Sequence, residues 1–275
     1  MATNVSSQVI PQKTSQARAS WPLQVALVTW RNLVTIFRTP QAILPPIAIS
    51  IFFLVIYEST LGKAAGFIPS LSGNSYLGFI LPLSIVSSSL AGAGIAAQNL
   101  VRDIESGYFD KLLLTPISRP ALILGPILAG ALILGIQAAI VIGVALLLGL
   151  DSATGVTGLL AVIGLAVLLG TGFAGFTVSA ALGSGSAAAT QGAGFLFFPL
   201  TFLTASFVPL ELLSGWLKAA AQLNPITYVL EAMRSTLLTG WDSILLWQGV
   251  AACLLLALAM YALAGFALRV RTRRK

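Results

Sequence analysis

Apolar residues run through this chain in blocks too long for the core of a soluble domain, with the polar residues gathered between them. About 20 residues at 1.5 Å rise cross a bilayer's ~30 Å hydrocarbon layer. Six blocks approach or exceed that length: residues 43–61, 76–97, 120–150, 156–182, 187–207 and 244–268. The pattern predicts an all-α integral membrane protein with six transmembrane helices in one domain, residues 40–268. Pro45 and Pro46 lack amide donors, so the first span is expected to begin there or to bend. As one helix, the 120–150 stretch would be about 46 Å long and must tilt or project from the bilayer. Gly175, Ser179 and Gly183, at intervals of four, offer a face that another helix can approach closely, within the subunit or across a dimer seam.

The segments outside the spans read differently. Residues 1–20, rich in Ser, Thr, Gln and Ala, are expected to form a disordered tail. They carry no apolar stretch followed by a small-residue cleavage site, as a secretory signal would. Residues 21–39 predict an amphipathic helix with Ser20 as N-cap and Pro22 in its first turn. Gln24, Arg31, Thr35 and Arg38 share one face; Leu23, Leu27, Trp30, Val34 and Phe37 occupy much of the other. Such a helix lies in the membrane interface, with Trp21 and Trp30 at headgroup level.

Two connecting segments carry the remaining pattern. Residues 98–119 hold Arg102, Asp103, Glu105, Asp110, Lys111 and Arg119 in one short loop. Leu100, Val101, Ile104 and Phe109 form an apolar stripe there, and Gly107 ends or loosens the helix. A helix so short is marginal alone, so a partner surface is expected to stabilise it. Residues 208–241 are broken by Pro209, Gly215, Pro225 and Gly240, yet Leu212, Leu213, Trp216, Leu217 and Leu223 are too apolar for an ordinary loop. They predict a pair of short helices dipping into the outer leaflet, with Asn224 capping the second and Pro225 as its first residue.

Charge sets the topology. One side of the membrane would hold Lys13, Arg18, Arg31 and Arg38, then Arg102, Lys111 and Arg119, and finally Arg269, Arg271, Arg273, Arg274 and Lys275. The other would hold only Lys63, Lys218 and Arg234. The positive-inside rule therefore places both termini in the cytoplasm. The net charge of +7 follows the same logic, because residues 269–275 form a basic tail beside an anionic leaflet. Nucleic acid is not implied as a partner.

Composition narrows the chemistry. Hydrophobic residues make up 57% of the chain and charged residues 8%; there is no histidine, and Cys253 is the one cysteine. The usual general base and the commonest metal ligands are missing, so neither a catalytic nor a metal site is expected. No phosphate-binding loop occurs, since Gly62-Lys63 is followed by Ala64 and has Tyr57 where the first glycine belongs. Energy for any work done must come from elsewhere.

The run Glu105-x-Gly107-x-x-x-x-Leu112-Leu113-x-Thr115-Pro116-Ile117-Ser118-Arg119 resembles the hallmark of permease subunits of type-2 ATP-binding-cassette (ABC) exporters, in particular the daunorubicin-resistance-type drug-export permeases. The later positions Pro209, Leu223, Asn224, Pro225, Thr227, Tyr228 and Arg234 match that family's extracellular re-entrant helices. The resemblance implies a multi-pass permease of the bacterial cytoplasmic membrane that moves a hydrophobic or amphipathic substrate by alternating access. It implies a homodimer and two copies of a separate ATPase subunit, which would bind ATP and Mg; this chain would bind no cofactor. Arg102, Asp103, Glu105, Gly107, Tyr108 and Phe109 would belong to the cytoplasmic coupling helix. Pro209, Asn224, Pro225, Tyr228 and Arg234 would form the re-entrant gate, as a lid or as a structural plug.

For the substrate path the residues themselves offer Phe195, Phe198 and Phe202 with Thr201, an aromatic strip with a polar neighbour, and Gln137 in the third span. Lipid-facing or core packing is the alternative for the phenylalanines. Two other classes compete. An ion-coupled transporter needs an embedded acid or an unwound helix, and Glu58, near an outer end, is a poor candidate. A lipid-modifying membrane enzyme needs clustered acids or histidines, whereas Asp103, Glu105 and Asp110 are interleaved with basic residues.

Overall fold

A computed structural model describes residues 20–62, 76–196, 198–204 and 210–273. Eleven α-helices follow in order among them: α1 (Trp21–Phe37), α2 (Pro40–Leu61), α3 (Tyr76–Glu105), α4 (Tyr108–Leu113), α5 (Arg119–Leu147), α6 (Gly155–Ser184), α7 (Ala187–Phe195), α8 (Phe198–Phe202), α9 (Gly215–Leu223), α10 (Pro225–Leu238) and α11 (Ser243–Arg273). Five of them, α2, α3, α5, α6 and α11, are long and apolar enough to cross a membrane. The expected tail over 1–20 lies outside the described residues except for Ser20, as do Pro209, Arg274 and Lys275.

The fifth expected span is not one helix. Residues 187–207 give the nine-residue α7, a break, and the five-residue α8. Gly192 and Gly194 weaken the first piece, and Pro199 has no backbone N–H to give to the carbonyl of Phe195. The proline pair earlier in the chain acts differently: α2 runs through Pro45 and Pro46, starting at Pro40 instead. Pro40 sits at the first helical position, where its missing N–H costs nothing.

α3 is the central element. Of its most apolar stretch 82% is buried, against 17% for α2 and 22% for α11, which flank the bundle. α5, α6, α7 and α10 all pack on α3, and α6 pairs closely with α11. Close approach needs small residues here. A Cβ on Gly175 would press on Met260 and Tyr261 of α11, whereas Gly183 meets nothing. The small-residue face of α6 thus serves packing inside the subunit, at its Gly175 end.

The bundle has two distinct ends. At one, α1 meets the close of α3: Arg31 Nη2 donates to Asp103 Oδ1 at 2.5 Å. Arg119 donates to Thr272 Oγ1, and Arg271 donates to the Leu182 carbonyl at the close of α6. At the other end, Thr154 Oγ1 and the Ala153 N–H donate to the carbonyls of Thr236 and Leu237 in α10. The first and last described helices, α1 and the close of α11, therefore share one end.

Candidate functional site

Two features of this frame offer function: a cavity on the bundle's flank and a joint at one end. The cavity encloses about 390 Å³ between α2, α3, α7 and α8. Pro45, Pro46, Ile49, Phe53 and Tyr57 form its α2 wall; Thr190, Gln191, Gly194, Phe195, Thr201 and Phe202 form the wall opposite. Between them α3 presents Leu83, Ser84, Ser87, Leu90, Gly94 and Gln98. No charged side chain lines it among the described residues. Polar contact is available from hydroxyls and two amides, and a largely apolar wall surrounds them, as small-molecule sites require.

Three of the expected path residues, Phe195, Thr201 and Phe202, come together here. Thr201 is buried, while Phe195 and Phe202 are more than half exposed, so the cavity opens sideways from the single chain. Phe198 begins α8, and its side chain lies outside the described set. Gln137 does not join them. It is fully buried in α5 against Gly92 of α3, and neither end of its amide has a partner among the described residues. The α3 stripe is not among the expected path residues. The signal is present, because Ser84, Ser87, Gly94 and Gln98 fall at helical intervals of three, seven and four.

The joint lies at the close of α3. Residues 98–105, expected as part of a separate short helix, continue α3 as its last turns. Gly107 then takes a left-handed backbone (φ +70°), which a residue with a side chain adopts only at a cost, and α4 starts on the next residue. Leu100, Val101 and Phe109 are buried in the main core, with Ile104 packed against it. The apolar stripe is therefore satisfied within the chain, and the expected partner surface is not what stabilises it. The polar residues remain outside: Arg102, Glu105 and Tyr108 are exposed.

α1 holds this joint from the side. The Arg31 guanidinium lies 4.4 Å from the centre of the Tyr108 ring while pairing with Asp103. Gln24 Oε1 accepts a hydrogen bond from the Ser118 N–H just before α5. A Cβ on Gly125 would collide with Val28, so the glycine lets α1 lie directly on α5. Val25, Val28, Asn32 and Ile36 are buried there, and Leu23, Leu27, Trp30 and Phe37 remain exposed on the outward side. Ser20 occupies the N-cap position but makes no side-chain cap.

The far end carries the remaining expected residues. Asn224 Oδ1 accepts from the Ile226 N–H, capping α10 as anticipated, with Pro225 in the first turn. Its amide also donates to the carbonyls of Leu200 and Leu203, tying α10 to the close of α8. The Tyr228 hydroxyl donates to the Gln222 carbonyl. Arg234, 4% exposed, lies 3.7 Å from the Phe79 ring centre, donates to the Phe79 carbonyl at 3.1 Å and pairs with Glu231 at 3.0 Å. Among the described residues no group of three acidic, histidine or cysteine side chains is placed to hold a metal.

Comparison with known proteins gives this geometry a setting. The profile of the ABC-2 type transporter family matches residues 23–238. A probable doxorubicin resistance ABC transporter permease of Mycobacterium tuberculosis is 26% identical over 79% of this chain and 78% of its own length. The daunorubicin resistance ABC transporter permease of Streptomyces coeruleorubidus is 26% identical over 74% and 71%. A putative transport permease of Cyanophora paradoxa is 24% identical over 83% and 79%.

Proposed function

Since this chain belongs to the ABC-2 type transporter family and is the membrane-embedded permease subunit of an ABC transporter, we propose that it exports an amphipathic, drug-like or lipid-like molecule through the cavity beside α3. The observation that carries the reading is the cavity wall: apolar and aromatic side chains with hydroxyls and amides, and no charge. Such a wall holds a molecule that partitions into the bilayer and enters sideways. It sets no charge opposite an inorganic ion or proton, which counts against an ion-coupled transporter.

The family implies an ABC ATPase partner, which binds and hydrolyses ATP with Mg; this chain supplies the conduit. We infer two ATPase copies beneath a homodimer of this chain, with both termini cytoplasmic by the distribution of basic residues. We infer six passages, with α7 and α8 together making the fifth. Parity supports this: α6 closes at the α1 end, α11 starts at the other, and one crossing must lie between them. A broken helix at that depth is tolerable because it packs in protein or beside the cavity. ATP binding and hydrolysis would rock the spans between two orientations, each favoured by different ATPase contacts.

The direct test is reconstitution of the permease with its ATPase in liposomes, with uptake of fluorescent doxorubicin as the readout. ATP-dependent accumulation that weakens when Phe195 or Ser87 is replaced by Ala or Trp is the expected result. Transport by the permease alone under a proton gradient would overturn it.

A further inference from the structure

The cavity beside α3 changes character along its length. Its α3 wall runs from Leu83 to Gln98, about 22 Å of helix. Toward the Leu83 end the lining is apolar and aromatic: Phe53 and Tyr57 of α2 stack with ring centres 5.6 Å apart, and Phe202 belongs to α8. Toward the α1 end the lining is Gln98 of α3 with Thr190 and Gln191 of α7. Thr190 Oγ1 donates to the Ser186 carbonyl at 2.8 Å and keeps its acceptor side. Among the described residues no hydrogen bond ties either glutamine amide to the chain. Pro45 and Pro46 line the same end, and having no N–H they leave the carbonyls of Gln41 and Ala42 without the donor that a helix supplies.

These groups hydrogen-bond but carry no charge. Each amide both gives and accepts, and in apolar surroundings an unmade hydrogen bond is costly. A hydroxyl answers both needs at once. A phosphate or an ammonium would lose its water here opposite no counter-charge. Arg102, one turn beyond Gln98 on α3, is exposed and outside the lining. Between the two ends stand Gly94 and Gly194, where an added Cβ meets nothing within 4 Å, so the passage is open.

We propose that Gln98 and Gln191 read the cargo, holding an uncharged, hydroxyl-rich head such as a sugar or polyol at the α1 end. The apolar part of the same molecule then lies along Phe53, Tyr57 and Phe202. The proposal rests on the reading of this cavity as the export path, and narrows the cargo to neutral-headed amphipaths.

The test is movement of lipid probes between leaflets by the permease–ATPase complex in liposomes, read by dithionite quenching of an NBD label on a shared acyl chain. The heads compared are galactosyl, phosphoglycerol and trimethylammonium. With ATP, the parent is expected to move the galactosyl probe at least about tenfold faster than either charged one. Gln98→Leu and Gln191→Leu should each slow the galactosyl probe about tenfold and so remove most of that preference. Gln98→Glu, of nearly the same size, should gain movement of the trimethylammonium probe, which a misfolded variant cannot do. Gly94→Leu fills the passage and should stop all three probes. A parent that moves every head alike, or none, overturns the proposal, as do leucine variants that keep the preference. If they keep it while Gly94→Leu still blocks movement, the cavity is the path and only the assignment of its head group fails. Should Gly94→Leu change nothing either, the export path falls with it.

Discussion

Both ends of the bundle are fastened by the same device, an arginine laid over an aromatic ring and paired with a carboxylate. Arg31 lies over Tyr108 beside Asp103; Arg234 lies over Phe79 beside Glu231. The media differ. The Arg31 and Asp103 side chains are 38% and 18% exposed, whereas Arg234 is 4% exposed and Glu231 30%. An ion pair within reach of water is screened and contributes roughly 0–1 kcal/mol. Arg234 is the buried member of its pair, and losing the hydrogen bonds of a buried charged group costs about 1.5–3 kcal/mol. The difference teaches that one fastening can be permanent and the other releasable with nearly the same atoms. The releasable one lies on the segment that we infer faces the ATPase.

The largest effect should come from the buried end. Arg234→Ala removes the pair with Glu231, the bond to the Phe79 carbonyl and the ring contact together. A loss of about 3 kcal/mol is expected, visible as a lower unfolding temperature of the detergent-purified protein. Arg234→Lys should recover only part, since an ammonium cannot reproduce the guanidinium's planar fork. An Arg234→Ala protein as stable as the parent would break the comparison at once.

Next, Asn224→Ala should cost about 1–2 kcal/mol, through the lost α10 cap and the two freed carbonyls at the close of α8. Proteolysis or hydrogen exchange should show the α8 region opening before α3. Protection unchanged in α8 would mean that the amide is not what holds it.

The smallest effect on stability belongs to the exposed end. Arg31→Ala is expected to cost below about 1 kcal/mol, and to cost less as salt rises. ATP-driven uptake should nevertheless fall in that variant, with the ATPase still bound. A double-mutant cycle with Asp103→Ala should return a coupling energy of the same small size. A cycle as large as that expected for Arg234 and Glu231 would erase the distinction between the two ends.

Much of this was legible in the residues, for reasons that differ by element. Long apolar runs announce spans because nothing else satisfies backbone groups in lipid, so α2, α3, α5, α6 and α11 lie close to the expected stretches. The Asn224 cap was readable because it is local, two residues from its partner. Contacts between distant segments were not. Arg31 and Asp103 are 72 positions apart, and no periodicity links them. The α7–α8 break was hidden for another reason: glycine and proline inside an apolar run are common in membrane helices, and only packing decides whether they bend or break it. The stripe of Leu100, Val101 and Phe109 was visible, but its direction was not, because an apolar face looks the same whether it meets its own core or a partner.

α3 runs unbroken over 30 residues, about 45 Å as a helix, with the cavity's serines on its flank and the Gly107 turn at its foot. Such a rod behaves as a crank arm: rocking by about 5° about its foot would sweep the far tip through roughly 4 Å. That is on the order of one methyl-to-methyl contact, sufficient to part or close two side chains at the bundle's far end while the foot scarcely travels.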